Sequence, residues 1–231
     1  WSIVVSETRL KVRIQSITKE TSTVKRFTFV RIDNKTLPAF SAGSHIILYL
    51  KGRGGELERR YSLISSPDST DYYQIAVKLH DKSSGGSAYL HNEAKIGDFL
   101  QISFPKNYFP LSLHARHHVF FAAGIGITPF LAMMRELKEQ GASFELHYSA
   151  KTKEGCAFYS YLLKEYPNQT HFYFTKLGKR VDSNILIDQY IGSHVYLCGP
   201  EGFTSSFSRA ATSIGYPSAS IHYEYFSPPN R

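Results

Sequence analysis

The feature that most constrains the fold is a change of pattern near residue 113 of the 231-residue chain. After this point apolar strands and helices alternate, from a strand at 118–123 to a final strand at 220–225. Successive parallel strands need a crossover between them, so this alternation predicts a parallel sheet with helices on both faces. The second half of the chain is therefore predicted to be an α/β domain.

The first half has the period of two that is typical of half-buried strands. Leu10, Val12 and Ile14 alternate with polar residues, and turn-forming clusters separate this segment from the next ones. Further strands are predicted at 24–32, 45–50, 72–79 and 99–104, and a short helix at 88–93. Short strands with turns between them predict an antiparallel β-barrel or sandwich, and the barrel is preferred. The predicted domains are 1–113 (barrel) and 114–226 (α/β), with 227–231 as the start of a linker.

The first helix of the α/β half has the clearest signals at its ends. Thr128 suits the N-cap, Pro129 the first helical position and Gly141 the end. Between them Phe130, Met133, Met134 and Leu137 form one apolar face. The same reading predicts further helices at 156–165, 182–189 and 200–213, and further strands at 144–148, 170–175 and 194–197.

The cysteine count excludes several classes of protein. Cys156 and Cys198 are the two cysteines, too few for a four-cysteine 2Fe–2S cluster or a disulfide-stapled scaffold. The longest apolar runs are about six residues, much shorter than a membrane-spanning helix. The chain starts at Trp1 without a signal-peptide pattern, so we expect a trimmed chain from the reducing cytoplasm.

The charge balance is basic, with 27 Lys and Arg against 19 Asp and Glu. These cations are scattered and not clustered, which argues against a nucleic-acid-binding barrel. A solvated surface or a docking face for an acidic protein is expected instead. His114, His117 and His118 are close in sequence near the domain junction, but they lack the ligand spacing of a metal site, and no metal is expected.

Two glycine motifs follow strands in the α/β half. Gly124-Ile125-Gly126-Ile127-Thr128-Pro129 joins a strand to a helix, an arrangement that can cradle a diphosphate, although a tight turn alone explains the glycines. Cys198-Gly199-Pro200 ends another strand, where Cys198 is either a site residue or a buried thiol. Because ligands bind at the carboxyl ends of parallel strands, both motifs point to one crevice.

Two motifs in the barrel half also fit ligand binding. Arg59-Arg60-Tyr61-Ser62 offers a cation, a flat ring and a hydroxyl on one strand, although a strand surface has the same composition. Gly85-Gly86-Ser87 precedes the predicted short helix and can hold a phosphate, or form a simple turn.

In this order the motifs resemble the ferredoxin–NADP reductase superfamily over essentially the whole chain. Segments 75–78, 85–91, 105–111 and 222–226 further resemble the phthalate dioxygenase reductase group, which includes reductases of vanillate demethylase and of carnitine-type monooxygenases. The closing segment His-Tyr-Glu-Tyr-Phe favours the carnitine type. The resemblance implies hydride transfer from NADH to FMN, then transfer of single electrons to a 2Fe–2S ferredoxin domain or protein that serves a Rieske-type oxygenase.

The resemblance also implies roles by position. Flavin contacts are implied for Arg59 (phosphate), Tyr61 (ring face), Ser62 (near N5), Ala76 and Lys78 (ring edge and ribityl chain), Gly85, Gly86 and Ser87 (phosphate) and Phe226 (second ring face). Nicotinamide-nucleotide contacts are implied for Gly124, Gly126, Thr128 and Pro129 (diphosphate) and for Cys198, Gly199 and Pro200 (ribose and ring). Ser62, Cys198, Glu224 and Phe226 are expected at the reacting atoms.

Some alternatives stay open at this point. No carboxylate follows the strand that ends at Tyr148, and Lys151 and Lys153 tolerate a 2′-phosphate, so NADPH competes with the NADH that the resemblance implies. FMN is preferred to FAD on the resemblance alone. The 2Fe–2S domain expected after Phe226 lies outside this chain, either removed or supplied as a separate ferredoxin. The competing functions are a reductase of free flavin and a flavin-bearing electron-transfer subunit without its own turnover.

Overall fold

The computed structural model describes residues 8–80 and 85–226. Its first sheet has six antiparallel strands in the order β4-β3-β6-β1-β2-β5. The strands are β1 (Leu10–Lys19), β2 (Val24–Arg31), β3 (His45–Gly52), β4 (Gly55–Ser62), β5 (Tyr73–Lys78) and β6 (Phe99–Ile102). Beyond the end of β4 the Ile64 N–H donates to the Gln74 carbonyl of β5 at 2.9 Å, which brings the two edge strands of the curled sheet together.

The second sheet confirms the predicted parallel α/β architecture. Its strands are β7 (His117–Ala123), β8 (Phe144–Ala150), β9 (Thr170–Phe174), β10 (Ser193–Gly199) and β11 (Ile221–Tyr225), in the order β11-β10-β7-β8-β9. The helices are α1 (Gly86–Asn92) in the barrel half, then α2 (Thr128–Glu139), α3 (Tyr159–Glu165) and α4 (Glu201–Ile214). Phe130 of α2 packs on one face of the second sheet and Phe207 of α4 on the other. Because β8 and β10 lie on opposite sides of β7, the topological switch point falls between β7 and β10.

The short helix predicted near 182–189 is present as a 3-10 helix, Ser183–Leu186. Two other local predictions need correction. The helix predicted at 156–165 begins at Tyr159, since Phe158 has a left-handed backbone (φ 64°). Thr128 is not an N-cap, because a 3-10 turn, Gly124–Ile127, runs directly into α2 and the Thr128 hydroxyl donates to the Ile125 carbonyl at 3.1 Å.

One apolar core joins the two sheets. Ala42, Ala76 and Phe109 from the barrel half pack in the same cluster as residues of α2. Gly43 permits this approach: it has φ +99°, and a Cβ there would lie 2.9 Å from Cε of Met133 on α2. The two halves therefore pack directly against each other, so the strand ends of both can contribute to a single site. Among the described residues, no helix has the length and apolar character needed to cross a membrane.

Candidate functional site

The turns after β7 and β10 touch each other backbone to backbone. A Cβ at Gly126 would lie 2.2 Å from the Cys198 carbonyl oxygen, so only glycine fits there. Gly124 has φ +57°, and a Cβ on it would meet nothing within 4 Å. Packing alone thus explains Gly126, whereas Gly124 borders open space that a diphosphate can approach.

Other predicted residues of this turn face the protein interior. Thr128 is buried with its hydroxyl engaged, and Pro129 is buried in the first turn of α2. Any contact of these two residues with a nucleotide therefore has to come through the backbone at the start of the helix, and their assignment stays a prediction.

Cys198 is fully buried, and burial raises the pKa of its thiol well above the usual value. Its sulfur is therefore a protonated core atom, which matches the buried-thiol alternative. The part of Cys198 that borders the Gly124–Ile127 turn is its backbone, since the Cys198 carbonyl packs against Gly126. Its role at the nicotinamide ring stays a prediction. Pro200 follows as the N-cap of α4, and its carbonyl accepts the Thr204 N–H at 3.0 Å.

The end of β11 joins the same strand ends. The Phe226 N–H donates to the Gly199 carbonyl at 3.1 Å, and the half-buried Phe226 packs on the core shared by the two sheets. Glu224 pairs with Cys198 across the strands. Burial raises the pKa of the Glu224 carboxyl to about 7, against the lowering effect of Arg60 on β4. The packing of Phe226 on the shared core brings the end of β11 to the junction of the two halves.

In the barrel half, two predicted phosphate ligands lie in contact. A Cβ on Gly86 would lie 2.7 Å from Cγ and Nε of Arg59, so the arginine packs directly on the glycine backbone. Gly85 has φ +120°, a conformation that favours glycine. The buried Ser87 hydroxyl accepts the His80 N–H at 3.3 Å and can still donate its own proton. A guanidinium, glycine backbone and a hydroxyl at one place suit a phosphate.

The register of β3 with β4 separates the Arg-Arg-Tyr-Ser motif into two faces. Arg59 pairs with Leu48 and Tyr61 with Ile46, on the side of the barrel core, whereas Ser62 pairs with His45 on the opposite side. Burial raises the pKa of the Tyr61 phenol to about 12, so its ring is uncharged. Because β4 is an edge strand, a flat ligand lying along its open edge can contact both Tyr61 and Ser62.

The remaining predicted flavin contacts lie on β5, which pairs with β2. Ala76 is buried in the core between the sheets, and Lys78 is exposed at the end of the strand. The structure thus brings together Arg59, Gly85, Gly86 and Ser87 on one side and the glycine turns with Phe226 on the other. The end of β5 that carries Lys78 borders the phosphate cradle, because the His80 N–H just beyond it donates to the Ser87 hydroxyl and His91 of α1 contacts the Val77 carbonyl.

Sequence reasoning missed a polar network at the opposite, amino-terminal end of the parallel sheet. The Glu145 carboxylate accepts from Nε2 of His117 at 2.8 Å and of His147 at 2.5 Å. Although burial opposes it, these hydrogen bonds hold the pKa of Glu145 well below its usual range. The residues are spaced across two strands, and only the strand register of β7 with β8 brings them together.

Buried neutral histidines predict a loss of stability in acid. Burial lowers the pKa of both His45 and His118 to about 4, below the 6.5 of an unfolded histidine. Between pH 4 and pH 6.5 the unfolded chain binds more protons than the folded chain. The free energy of unfolding is therefore highest above pH 6.5 and falls as the pH drops toward 4. We expect a loss of about 2 kcal/mol per histidine at pH 5. Urea unfolding between pH 4.5 and 7.5 measures it.

The matched control for this prediction is a pair of glutamine variants. His118→Gln removes one titrating group and should flatten the pH dependence, whereas His114→Gln alters an exposed histidine and should leave it unchanged. Equal stability of the parent protein at pH 5 and pH 7 contradicts the prediction.

Two family models match the chain. Residues 11–110 match the family described as "Oxidoreductase FAD-binding domain". Residues 105–221 match "Dimethylamine monooxygenase subunit DmmA-like, N-terminal domain". Together they span residues 11–221, which include both sheets except Leu10 of β1 and most of β11.

Curated relatives are similar over nearly the whole chain. The chain is 40% identical to a carnitine monooxygenase reductase subunit from Escherichia coli, over 94% of this chain and 68% of that protein. It is 39% identical to a heme-dependent oxidative N-demethylase beta subunit from Ectopseudomonas mendocina, over 95% of this chain and 70% of the relative. A vanillate O-demethylase oxidoreductase from Acinetobacter baylyi is 37% identical over 95% of this chain and 69% of the relative. The chain thus spans about two thirds of these relatives.

Solved structures agree. A phthalate dioxygenase reductase, described as transferring electrons from pyridine nucleotides to a 2Fe–2S centre, has a TM-score of 0.89 and 30% identity. The match covers 96% of this chain and 70% of that one. An intact type IV self-sufficient cytochrome P450 monooxygenase has a TM-score of 0.88 and 32% identity, over 96% of this chain and 28% of its own length.

Proposed function

Since the chain belongs to the ferredoxin–NADP reductase superfamily, among the phthalate dioxygenase reductase-like reductase components of oxygenase systems, we propose that it oxidises NADH and delivers electrons one at a time to a 2Fe–2S centre. The observation that carries this proposal is the meeting of two ligand-binding edges. Phe226 at the end of β11 is hydrogen-bonded to Gly199 at the switch point, and it packs on the core that Ala76 of the barrel half shares with α2.

A flavin supplies the chemistry that converts a two-electron hydride donor into a one-electron donor. The residues present fit its phosphate, because Arg59 lies on the Gly86 backbone beside Ser87. Arg59 then binds the phosphate and Tyr61 offers a flat uncharged ring to the isoalloxazine. We propose FMN by analogy with the phthalate dioxygenase reductase group, although the barrel's family is named for FAD.

The α/β half is proposed to hold the nicotinamide nucleotide. Gly124 leaves space for the diphosphate, and Gly199 and Phe226 lie at the strand ends where the nicotinamide has to stack on the flavin. The protein contributes positioning, since hydride transfer requires donor and acceptor atoms in near contact. NADH is proposed over NADPH, and Lys151 and Lys153 after β8 are the residues that make NADPH the alternative.

The partner is proposed to be a plant-type 2Fe–2S domain or ferredoxin, and behind it a Rieske-type oxygenase. A haem enzyme is a second candidate for the final acceptor, because one relative is a subunit of a heme-dependent N-demethylase. Cys156 and Cys198 are both free and buried, which supports the proposal of a reducing, cytoplasmic setting.

Anaerobic mixing tests the proposal. Heat-released flavin is identified by mass, and the flavin absorbance is followed after addition of NADH or NADPH. Rapid bleaching by NADH supports the reductase function, and a preference for NADPH reverses the nucleotide assignment. A protein that holds flavin but is not bleached by either nucleotide is a carrier subunit, and the reductase proposal is then wrong.

Phe226→Ala should slow flavin reduction by NADH by an order of magnitude or more and leave the flavin content unchanged. Phe226 is half-buried at the β10–β11 strand ends, away from the Arg59–Gly86 cradle that holds the phosphate. Stopped-flow bleaching and the flavin-to-protein absorbance ratio measure the two effects. Phe226→Tyr keeps the ring and should retain most of the rate. Equal loss of flavin and rate would indicate a structural residue.

A further inference from the structure

His45 on β3 has two hydrogen-bonding atoms without a described partner. The residue is 1% exposed, and both ring nitrogens are buried without a hydrogen bond to any described residue. An unsatisfied buried donor or acceptor costs about 1–3 kcal/mol, and native proteins leave few of them. The imidazole therefore points to a partner that the described residues do not supply.

The surroundings of His45 are cationic. Apart from burial, the groups that lower its pKa are Arg60 of β4 and Lys106. Lys106 is tied to His45 by a two-way backbone bridge, with N···O distances of 2.9 and 3.0 Å. On the same face, Ser62 is the cross-strand neighbour of His45. Among the described residues, Arg60 acts on the carboxyl of Glu224, whose proton affinity near neutrality weakens it as a counter-ion for Arg60.

Tyr108 covers this group from the solvent side. Its ring lies 5.6 Å from the imidazole and 5.9 Å from the Arg60 guanidinium, and 70% of the residue is exposed. The chain on either side is held, because the Asn107 amide donates to Ser41 Oγ at 2.7 Å and Phe109 is buried. Tyr108 is therefore an exposed ring on a held stretch of chain, in contact with both the imidazole and the guanidinium.

We propose that His45, Arg60 and Lys106 form an anion site that binds a carboxylate or a phosphate beneath Tyr108. The imidazole N–H donates to an anion oxygen, and the two cations supply the charge. The site lies on the outer face of β4, opposite the face of Arg59 and Tyr61. It uses none of the residues proposed to hold the flavin phosphate. Its ligand is either a free anion or an acidic side chain of a partner protein.

The test follows the imidazole signals of the whole chain by NMR at pH 6, with His45 assigned by through-bond experiments. Inorganic phosphate and acetate are titrated at constant ionic strength, with sodium chloride as the balancing salt. A bound anion should shift the His45 signal saturably and raise its pKa by at least one unit. Arg60→Gln should weaken this binding at least tenfold, while Arg53→Gln, an exposed arginine in the β3–β4 turn, should not change it.

The remaining histidine signals report that each variant is folded. A shift that follows ionic strength alone, or equal affinity in the parent and in Arg60→Gln, overturns the proposal. The source of the ligand is decided by adding a plant-type ferredoxin to the phosphate-loaded protein. Release of phosphate assigns the site to partner carboxylates, and retention assigns it to a free anion.

Discussion

Arg59→Ala is expected to abolish flavin retention. A charge-assisted, two-pronged contact to phosphate contributes roughly 3 kcal/mol, which corresponds to about a 100-fold loss of affinity. The Gly86 backbone on which Arg59 packs stays in place, so the variant should fold and lose only the cation. The flavin-to-protein absorbance ratio after dialysis measures the effect, and added flavin should restore colour only at high concentration.

Two variants control this prediction. Arg59→Lys keeps the positive charge without the planar fork and should retain an intermediate amount of flavin. Arg53→Ala removes the same charge from an exposed turn and should keep the full complement. If Arg59→Ala keeps its flavin through dialysis, the phosphate lies elsewhere and the assignment of Arg59, Gly86 and Ser87 is wrong.

Gly126→Ala should have the largest effect on the reaction with NADH. The new methyl group would lie 2.2 Å from the Cys198 carbonyl oxygen and 2.9 Å from Gly199 Cα, and backbone atoms of a central strand cannot rotate away. The turns after β7 and β10 have to separate, at a cost of about 1–3 kcal/mol in stability. We expect at least a 100-fold slower reduction by NADH with flavin still bound, since the phosphate cradle lies in the other half.

Gly202→Ala is the matched control for this variant. Gly202 lies in the first turn of α4, near the same strand end, and a Cβ on it meets nothing within 4 Å. Gly202→Ala should be reduced by NADH at the same rate as the parent protein, and its free energy of unfolding should rise slightly. An unchanged rate in Gly126→Ala contradicts the conclusion that the contact between the two turns shapes the nucleotide site.

Local patterns were sufficient for the architecture. Alternation of Leu10, Val12 and Ile14 with polar residues indicated a half-buried strand, and all three are buried in the barrel core. The spacing of Phe130, Met133, Met134 and Leu137 indicated the buried face of α2, and all four are buried. These predictions hold because side-chain direction repeats every two residues in a strand and every 3.6 in a helix.

Local patterns failed where a neighbouring turn or a strained residue decides the outcome. A helix was predicted to begin at Cys156, but Phe158 has a left-handed backbone and α3 begins at Tyr159. Thr128 has the chemistry of an N-cap, yet the preceding glycines already wind into a 3-10 turn that feeds α2. Cap preferences describe isolated helix ends and cannot anticipate a turn that continues into the helix.

The sequence by itself determined the two kinds of sheet, the order of the motifs and the family to which they point, because these depend on local periodicity and short spacings. Tertiary structure alone decided that Arg59 and Arg60 serve opposite faces of β4, that the Cys198 sulfur is core while its carbonyl touches Gly126, and that His45 lies buried between two cations. Each of these follows from strand register and from contacts between residues distant in sequence. Register is set by the burial of whole faces of the sheets, which no local window contains.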